Sequence, residues 1–236
     1  MNFSIRSYEK EWLDRDDIPF DDIKRNMLEL DTINTWLGGH AISINGLKQL
    51  LNNRRQASIC EIGCGGGDNL AALGRYCEKK GIGVTFTGID INPHCVAFAK
   101  QKPQNPRAAW QVSDYRLVKF GADKPDILFS SLFCHHFTDD ELVYMLQWMR
   151  QNAKAGFFIN DLQRHPLAYH SIRLLTRWFS RSYLVKNDAP LSVLRGFTRN
   201  EWTHLLRKAG IRDYSLRWKW AFRWLLIVRV STDDPL

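Results

Sequence analysis

The stretch Ser58-Ile59-Cys60-Glu61-Ile62-Gly63-Cys64-Gly65-Gly66-Gly67-Asp68 decides how this chain is read. It predicts a short buried strand over 58–62, a glycine turn, and a helix over 69–80. Four glycines within five residues free the backbone from the limits that a Cβ imposes. They also let a ligand lie against bare peptide, where turn N–H groups and the following helix N-terminus supply donors and partial positive charge. Glu61 stands at the end of the strand. A second acid, Asp90, ends the next apolar run, Phe86-Thr87-Gly88-Ile89-Asp90. A carboxylate at that place can accept both hydroxyls of a ribose. A dinucleotide fingerprint fits less well, because its third glycine would fall on Asp68.

Outward from this turn, apolar strands alternate with helical patterns. Strands are predicted over 84–89, 108–112, 126–130 and 156–160, and helices over 93–100 and 139–151. That alternation implies a parallel sheet with helices on both faces, whose ligands bind at the carboxyl ends of the strands. Pro93 suits a first helical turn, and Thr138 with Glu141 forms a capping box. Thr198 starts another helix, which stops at Gly210. Strands over 212–217 and 224–230 lie too close for a crossover, so they should form a hairpin. Upstream, 1–20 reads as an irregular arm. Ile23, Met27, Leu30 and Trp36 place a helix over 21–37, Gly38-Gly39 stops it, and a second helix covers 41–51. The expected division is an N-terminal helical cap over 1–56 and one domain over 57–236, with a helical lid inserted over 162–197.

Composition narrows the class. Apolar residues make up 44% of 236, enough for a full core. No apolar run approaches the roughly 18 residues of a spanning helix, and the first residues do not form a signal peptide. Five cysteines, an odd number without framework spacing, point to a reducing cytosolic compartment. Cys60 and Cys64 read as small residues fitting the turn, and without a Cys-x-x-Cys pair no metal is expected. The net charge of +8 invites nucleic acid, an anionic membrane or an acidic substrate. Acids crowd the first 31 residues, and the basic excess follows Arg164. Over 167–183, Ala168, Ile172, Leu175 and Phe179 form one helical stripe, with Leu174 and Trp178 beside it and Arg173, Arg177 and Arg181 opposite. This is a lid with an apolar inner face, or a lid that also meets anionic lipid at the inner face of the membrane. Trp218-Lys219-Trp220-Ala221-Phe222-Arg223-Trp224 falls at the hairpin, as core and turn contacts or as a stacking surface for RNA.

The pattern Glu61-x-Gly63-x-Gly65-x-Gly67 after a strand, with Gly88-Ile89-Asp90 after the next, resembles the class I S-adenosylmethionine-dependent methyltransferases. The resemblance implies a Rossmann-like α/β fold, a seven-stranded mostly parallel sheet with a terminal antiparallel strand. It implies that Glu61, Gly63, Cys64, Gly65 and Gly67 meet the methionine and ribose of the cofactor, and that Asp90, with Ile91 beside it, holds the ribose hydroxyls. Asp114 would accept the adenine amino group, and the backbone of Tyr115 would meet the ring. Ser131 opens the loop facing the methyl donor. The following Leu132-Phe133-Cys134-His135-His136-Phe137 resembles a Leu-x-His-His-Phe stretch of small-molecule methyltransferases. His135 or His136 would then remove a phenolic proton, and spacing does not choose between them. Asp161 orients or replaces that pair, or caps the next helix. Trp36 and His40 in the cap, and His165 and Tyr169 in the lid, would cover cofactor or substrate. With Asn34 to His40 and Leu174 to Arg177 added, the chain resembles bacterial methyltransferases encoded with type III polyketide synthases and aromatic-polyketide pathways. That subgroup implies a small hydrophobic, phenolic or polyketide-derived acceptor, methylated on oxygen or on an activated ring carbon. The Asn/Asp-Pro-Pro-Tyr/Phe motif of base methylation is missing, so no specific nucleic-acid partner is expected. An RNA methyltransferase and a non-catalytic cofactor-binding scaffold are the alternatives.

Overall fold

The computed structural model describes residues 2–15, 17–103, 105 and 108–230; the expected domain end at 236 lies outside them. Seven strands form one sheet in the order β3-β2-β1-β4-β5-β7-β6. They are β1 (Gln56–Ile62), β2 (Gly83–Asp90), β3 (Ala108–Val112), β4 (Ile127–Ser131), β5 (Gly156–Leu162), β6 (Ser215–Lys219) and β7 (Arg223–Arg229). The β1–β2, β2–β3, β1–β4 and β4–β5 pairs are parallel. β7 runs antiparallel to both β5 and β6. The last strand in the chain therefore lies inside the sheet rather than at its edge, and β6 takes the edge.

The central strands are apolar on both sides because both faces are covered. Alternate residues feed different layers. Ile127 and Phe129 of β4, Phe158 of β5 and Leu225 and Ile227 of β7 pack with Leu47 and Leu50 of α2 (Gly39–Leu51) and Leu70 and Leu73 of α3 (Asp68–Lys79). Leu128, Phe157, Ile159 and Leu226 pack on the other side with α5 (Asp139–Asn152) and α8 (Arg199–Lys208), where Leu142, Met145, Trp202 and Leu206 fill the gap. Phe129 and Phe158 stack at 4.8 Å between ring centroids. The Thr138 and Thr198 capping boxes both form, each closed by the glutamate three residues on.

Most predicted elements stand within two residues of their expected ends. Four differences bear on the site. First, the lid is two helices, α6 (Pro166–Phe179) and α7 (Tyr183–Arg195), where one was expected. Ser182 caps α7 by accepting from the Val185 N–H. Glu29, in α1 (Phe20–Trp36), accepts from the backbone N–H groups of Arg181 and Ser182, so the break is held from outside the lid. Second, Phe179 does not belong to the inner stripe: it is 81% exposed. Third, β6 begins at Ser215, three residues later than expected, which moves the hairpin turn to Trp220, Ala221 and Phe222. Trp224 is core, while Trp218 and Trp220 are exposed.

The fourth difference is the arm. It has no periodicity, yet it is strapped down. Asp188 of α7 accepts from the Trp12 and Leu13 N–H groups at 2.9 and 3.0 Å. Arg195 donates to the Glu9 carbonyl and to the His135 carbonyl. Arg6 donates to Asp139 and to the Phe137 carbonyl, and Arg164 donates to the Phe3 carbonyl. These bonds lay residues 3–15 across the mouth of the sheet's carboxyl edge.

Candidate active site

A cavity of about 950 Å³ opens at the carboxyl ends of β1, β4 and β5, where the strand order reverses and α/β sheets place their ligands. Its floor includes Glu61, Gly63, Cys64, Gly65, Asp90, Ile91 and Ser131. Gly63 sits at φ +69°, and a Cβ there would stand 2.3 Å from the Phe133 ring, so only glycine serves. Asp90 accepts from the Gly65 N–H at 2.8 Å and from the Asn92 N–H at 2.9 Å, which ties the second acid to the turn. Glu61 is fully enclosed. Burial, and then the nearby Asp68 and Asp90, raise its pKa well above the usual carboxyl value, and its Oε2 has no partner among the described residues. Burial likewise raises Asp90, against its two backbone hydrogen bonds. A buried acceptor without a donor and a carboxylate at the rim fit a ligand that brings hydroxyl or ammonium donors. Those groups match the ribose and amino acid of S-adenosylmethionine.

The other end of the cavity is built from the loop after β4. Leu132 lies at φ +53°, a conformation disfavoured for a branched side chain. It is fixed by donating its N–H to the Asn160 carbonyl at 2.9 Å. Asp161 is completely buried. It accepts from the N–H groups of Phe133, Cys134 and Leu162, and its Oδ1 meets His135 Nδ1 at 2.7 Å. On the far side, His135 Nε2 lies 3.5 Å from Glu11 Oε1. Burial works against the imidazolium of His135, but Asp161 and Glu11 outweigh it and raise its pKa to about 9. Glu11 is 5% exposed. Burial opposes its ionisation, yet His135, His136 and the Ser192 hydroxyl hold it down to about 2. His136 stands 3.8 Å from Glu11 and 3.4 Å from Asp14 and faces the cavity. Side-chain atoms of Glu11, His135 and His136 fall within 4.8 Å of one another, one carboxylate facing two imidazoles. The apolar part of the wall comes from Ile23, Met27, Leu30 and Ile33 of α1, and from Ala168, Ile172 and Leu175 of α6.

The other expected residues lie elsewhere. Gly67 is the left-handed cap of α3, where a Cβ would meet Trp110 at 2.4 Å, and it does not reach the cavity. Asp114 is paired with the Arg116 guanidinium, and the Tyr115 ring is core, against Phe137 and Trp148. Trp36 is 82% exposed beyond the rim. His40 sits under the glycine turn, 2.9 Å from Asp68, which it helps hold below the usual carboxylate range against burial. His165 caps α6 and stacks on Phe222, and Tyr169 packs on Phe3. Conversely, Glu11, Asp14, Asn34 and Arg223 line the cavity and were not anticipated. The acid-rich start of the chain was the one available signal for the first two.

Residues 59–156 match a family model described as a methyltransferase domain. No curated protein matches the sequence. Among solved structures, the chain is similar to the plantazolicin methyltransferase bound to a desmethyl analogue and S-adenosylhomocysteine, at 14% identity over 89% of this chain and 91% of that one (TM-score 0.67). It is similar to human N-acetylserotonin methyltransferase with S-adenosylmethionine, at 20% identity, covering 90% of this chain and 56% of that one (TM-score 0.59). It is also similar to magnesium protoporphyrin IX methyltransferase from Synechocystis PCC 6803 with S-adenosylhomocysteine, at 16% identity over 92% and 90% of the two chains (TM-score 0.51). At these identities the likeness is one of fold. Residues 59–156 thus match a methyltransferase domain, and the sheet has the fold of class I, S-adenosylmethionine-dependent methyltransferases. That matched segment runs from β1 to the start of β5 and holds the glycine turn, Asp90 and the histidine pair.

Proposed function

We propose that this enzyme methylates a small hydrophobic acceptor carrying an ionisable hydroxyl, a phenol or a related polyketide-derived compound, with S-adenosylmethionine as donor. The observation that carries the reading is one cavity joining the glycine turn to a histidine–carboxylate cluster between apolar walls. Its volume is at the upper end of the ~300–1,000 Å³ typical of small-molecule pockets. When bound, the cofactor supplies a methyl group on a positively charged sulfur. Glu61, Asp90 and the turn from Gly63 to Gly65 are the residues that would hold it. Placement of the two reactants contributes much of the acceleration in such a transfer, and α1 and α6 exclude water from the acceptor.

His135 is held as the imidazolium between Asp161 and Glu11, so it does not take up a proton at neutral pH. His136 faces the cavity beside Asp14, and we assign it as the group that accepts the acceptor's proton. Asp161 then acts through His135 as a positioning residue.

The outer face of α6 supports contact with an anionic membrane, where a lipid-like acceptor would reside. Leu167, Leu174, Trp178 and Phe179 are exposed there with Arg173 and Arg177, and Arg181 follows in the break before α7. No helix among the described residues is long and apolar enough to cross a membrane.

The test is calorimetric titration with S-adenosylmethionine and S-adenosylhomocysteine, followed by mass detection of methyl transfer to phenols and alkylresorcinols. Asp90→Ala is expected to weaken cofactor binding more than ~tenfold, about 1.4 kcal/mol. Unchanged binding would remove the ribose assignment. Absence of binding to either ligand in the wild-type protein would return the chain to a scaffold role.

A further inference from the structure

Arg223 opens β7 and lies on the same side of that strand as Leu225, facing α1 and α2. It lines the cavity and is 3% exposed. Its Nη2 donates to Asn34 Oδ1 at 2.8 Å. Its Nε and Nη1 have no acceptor among the described residues. Three N–H donors of a buried guanidinium are thus left without an acceptor, at a residue that lines the cavity. Burial, only partly offset by Asp161 and Asp68, holds its pKa down to about 10, so the charge stays at neutral pH without a contacting carboxylate. A buried, uncompensated cation is costly, and proteins keep such a group where a ligand completes it.

The surroundings are shaped to keep this arginine in place. Gly39 packs against the Asn34–Arg223 pair, and a Cβ there would stand 2.3 Å from Asn34 Oδ1 and 3.2 Å from Arg223 Nη1. The turn leading into Arg223 puts Ala221 and Phe222 at φ +59° and +55°. Hairpins normally give such positions to glycine or asparagine, and strained backbone of this kind concentrates at ligand sites. Here the Gln163 N–H donates to the Phe222 carbonyl and His165 stacks on the Phe222 ring, which together fix the turn.

We propose that Arg223, with Asn34, is a carboxylate-recognition site in the wall of the cavity, and that the methyl acceptor is an acid. The planar fork of a guanidinium matches a carboxylate. β7 flanks β5 on the side away from the glycine turn, which places the arginine toward the acceptor. The same chemistry exists on the donor, whose amino-acid carboxylate is the other source. The assignment rests on the methyltransferase reading above.

The experiment uses Arg223→Gln and Arg223→Met with the wild-type protein, titrated with S-adenosylhomocysteine and with methylthioadenosine, which lacks the amino acid. Saturated with S-adenosylhomocysteine, each protein is then titrated with dihydroxybenzoates and the matching dihydroxybenzenes. Wild type is expected to prefer the benzoates by at least ~tenfold, as a charge-assisted pair gives. Both variants are expected to lose that preference while binding S-adenosylhomocysteine as before. If the site serves the donor instead, the variants weaken S-adenosylhomocysteine by a similar factor and leave methylthioadenosine unchanged. Methylthioadenosine binding also reports that the variants are folded. Removing an unpaired buried charge should raise the melting temperature of ligand-free Arg223→Met, whereas a purely structural arginine would give a fall. No benzoate preference in wild type, with equal S-adenosylhomocysteine binding by all three proteins, overturns the site. Failure of wild type to bind either nucleoside overturns the methyltransferase reading and this assignment with it.

Discussion

At the scale of single residues, the site depends on how a few charges are balanced out of water. His135 between Asp161 and Glu11 is a buried triad of unlike charges that forms only when all three are in place. Asp161→Asn removes the charge and leaves the imidazolium half-compensated. A loss on the order of 3 kcal/mol is expected, measured by urea unfolding at pH 7; a loss within error of zero would show that His135 is neutral. His136→Ala acts differently. It should lower turnover about a hundredfold or more, the usual contribution of a positioned base, with S-adenosylhomocysteine affinity unchanged. If turnover survives, His136 is not the base and the acceptor must ionise unaided. The glycine turn, Asp90 and the histidine pair were legible in the sequence because each lies at a fixed offset from a strand end. Glu11 and Arg223 were not. One lies in a segment without periodicity, and the other is one of many basic residues in its half of the chain; only three-dimensional burial distinguishes them.

At the scale of elements, apolar period and capping signals carried most of the prediction. The strands of the sheet's centre and the two capping boxes stand where they were expected. The lid shows where such reading fails. Its helical period runs on past Phe179, and the break at Ser180 to Ser182 is held by Glu29 from α1, a contact over 150 residues away in sequence. The hairpin shifted because Trp218 is an exposed strand residue, and aromatic content alone does not locate a turn. One consequence is measurable on α6. Its inner face lines the cavity, and its outer face carries Arg173 and Arg177 beside exposed Trp178 and Phe179, with Arg181 in the break that follows. Changing Arg173, Arg177 and Arg181 to glutamate is expected to abolish sedimentation with anionic vesicles and to leave cofactor binding intact. Equal sedimentation before and after would remove the membrane role from α6.

At the scale of the whole molecule, the titrating groups set a pH window. His135 has a folded pKa of about 9 against a usual 6.5, so its contribution to stability is complete below 6.5 and is lost as pH rises through 9. Glu11, at about 2 against a usual 4.5, contributes above 4.5 and loses that contribution as pH falls toward 2. Asp161 and Asp14 are depressed in the same sense. Glu61 and Asp90 are raised and work against the acid limb. Unfolding midpoints in urea should therefore be highest between about pH 5 and 7 and fall between pH 7 and 9; a flat profile over that alkaline interval would contradict the imidazolium at His135.

The strap of residues 3–15 bears on the order in which this enzyme comes to life on the ribosome. Glu11 emerges well before Asp188 and Arg195, which pin its segment from far along the chain. Domains form as they are synthesised, from the N-terminal side onward. The donor half, β1 to β5, can therefore assemble while Glu11 is still without its place. A chain stopped before α7 would hold a donor pocket without a closed acceptor chamber, and that chamber would be complete only once α7 and then β7 had cleared the exit tunnel.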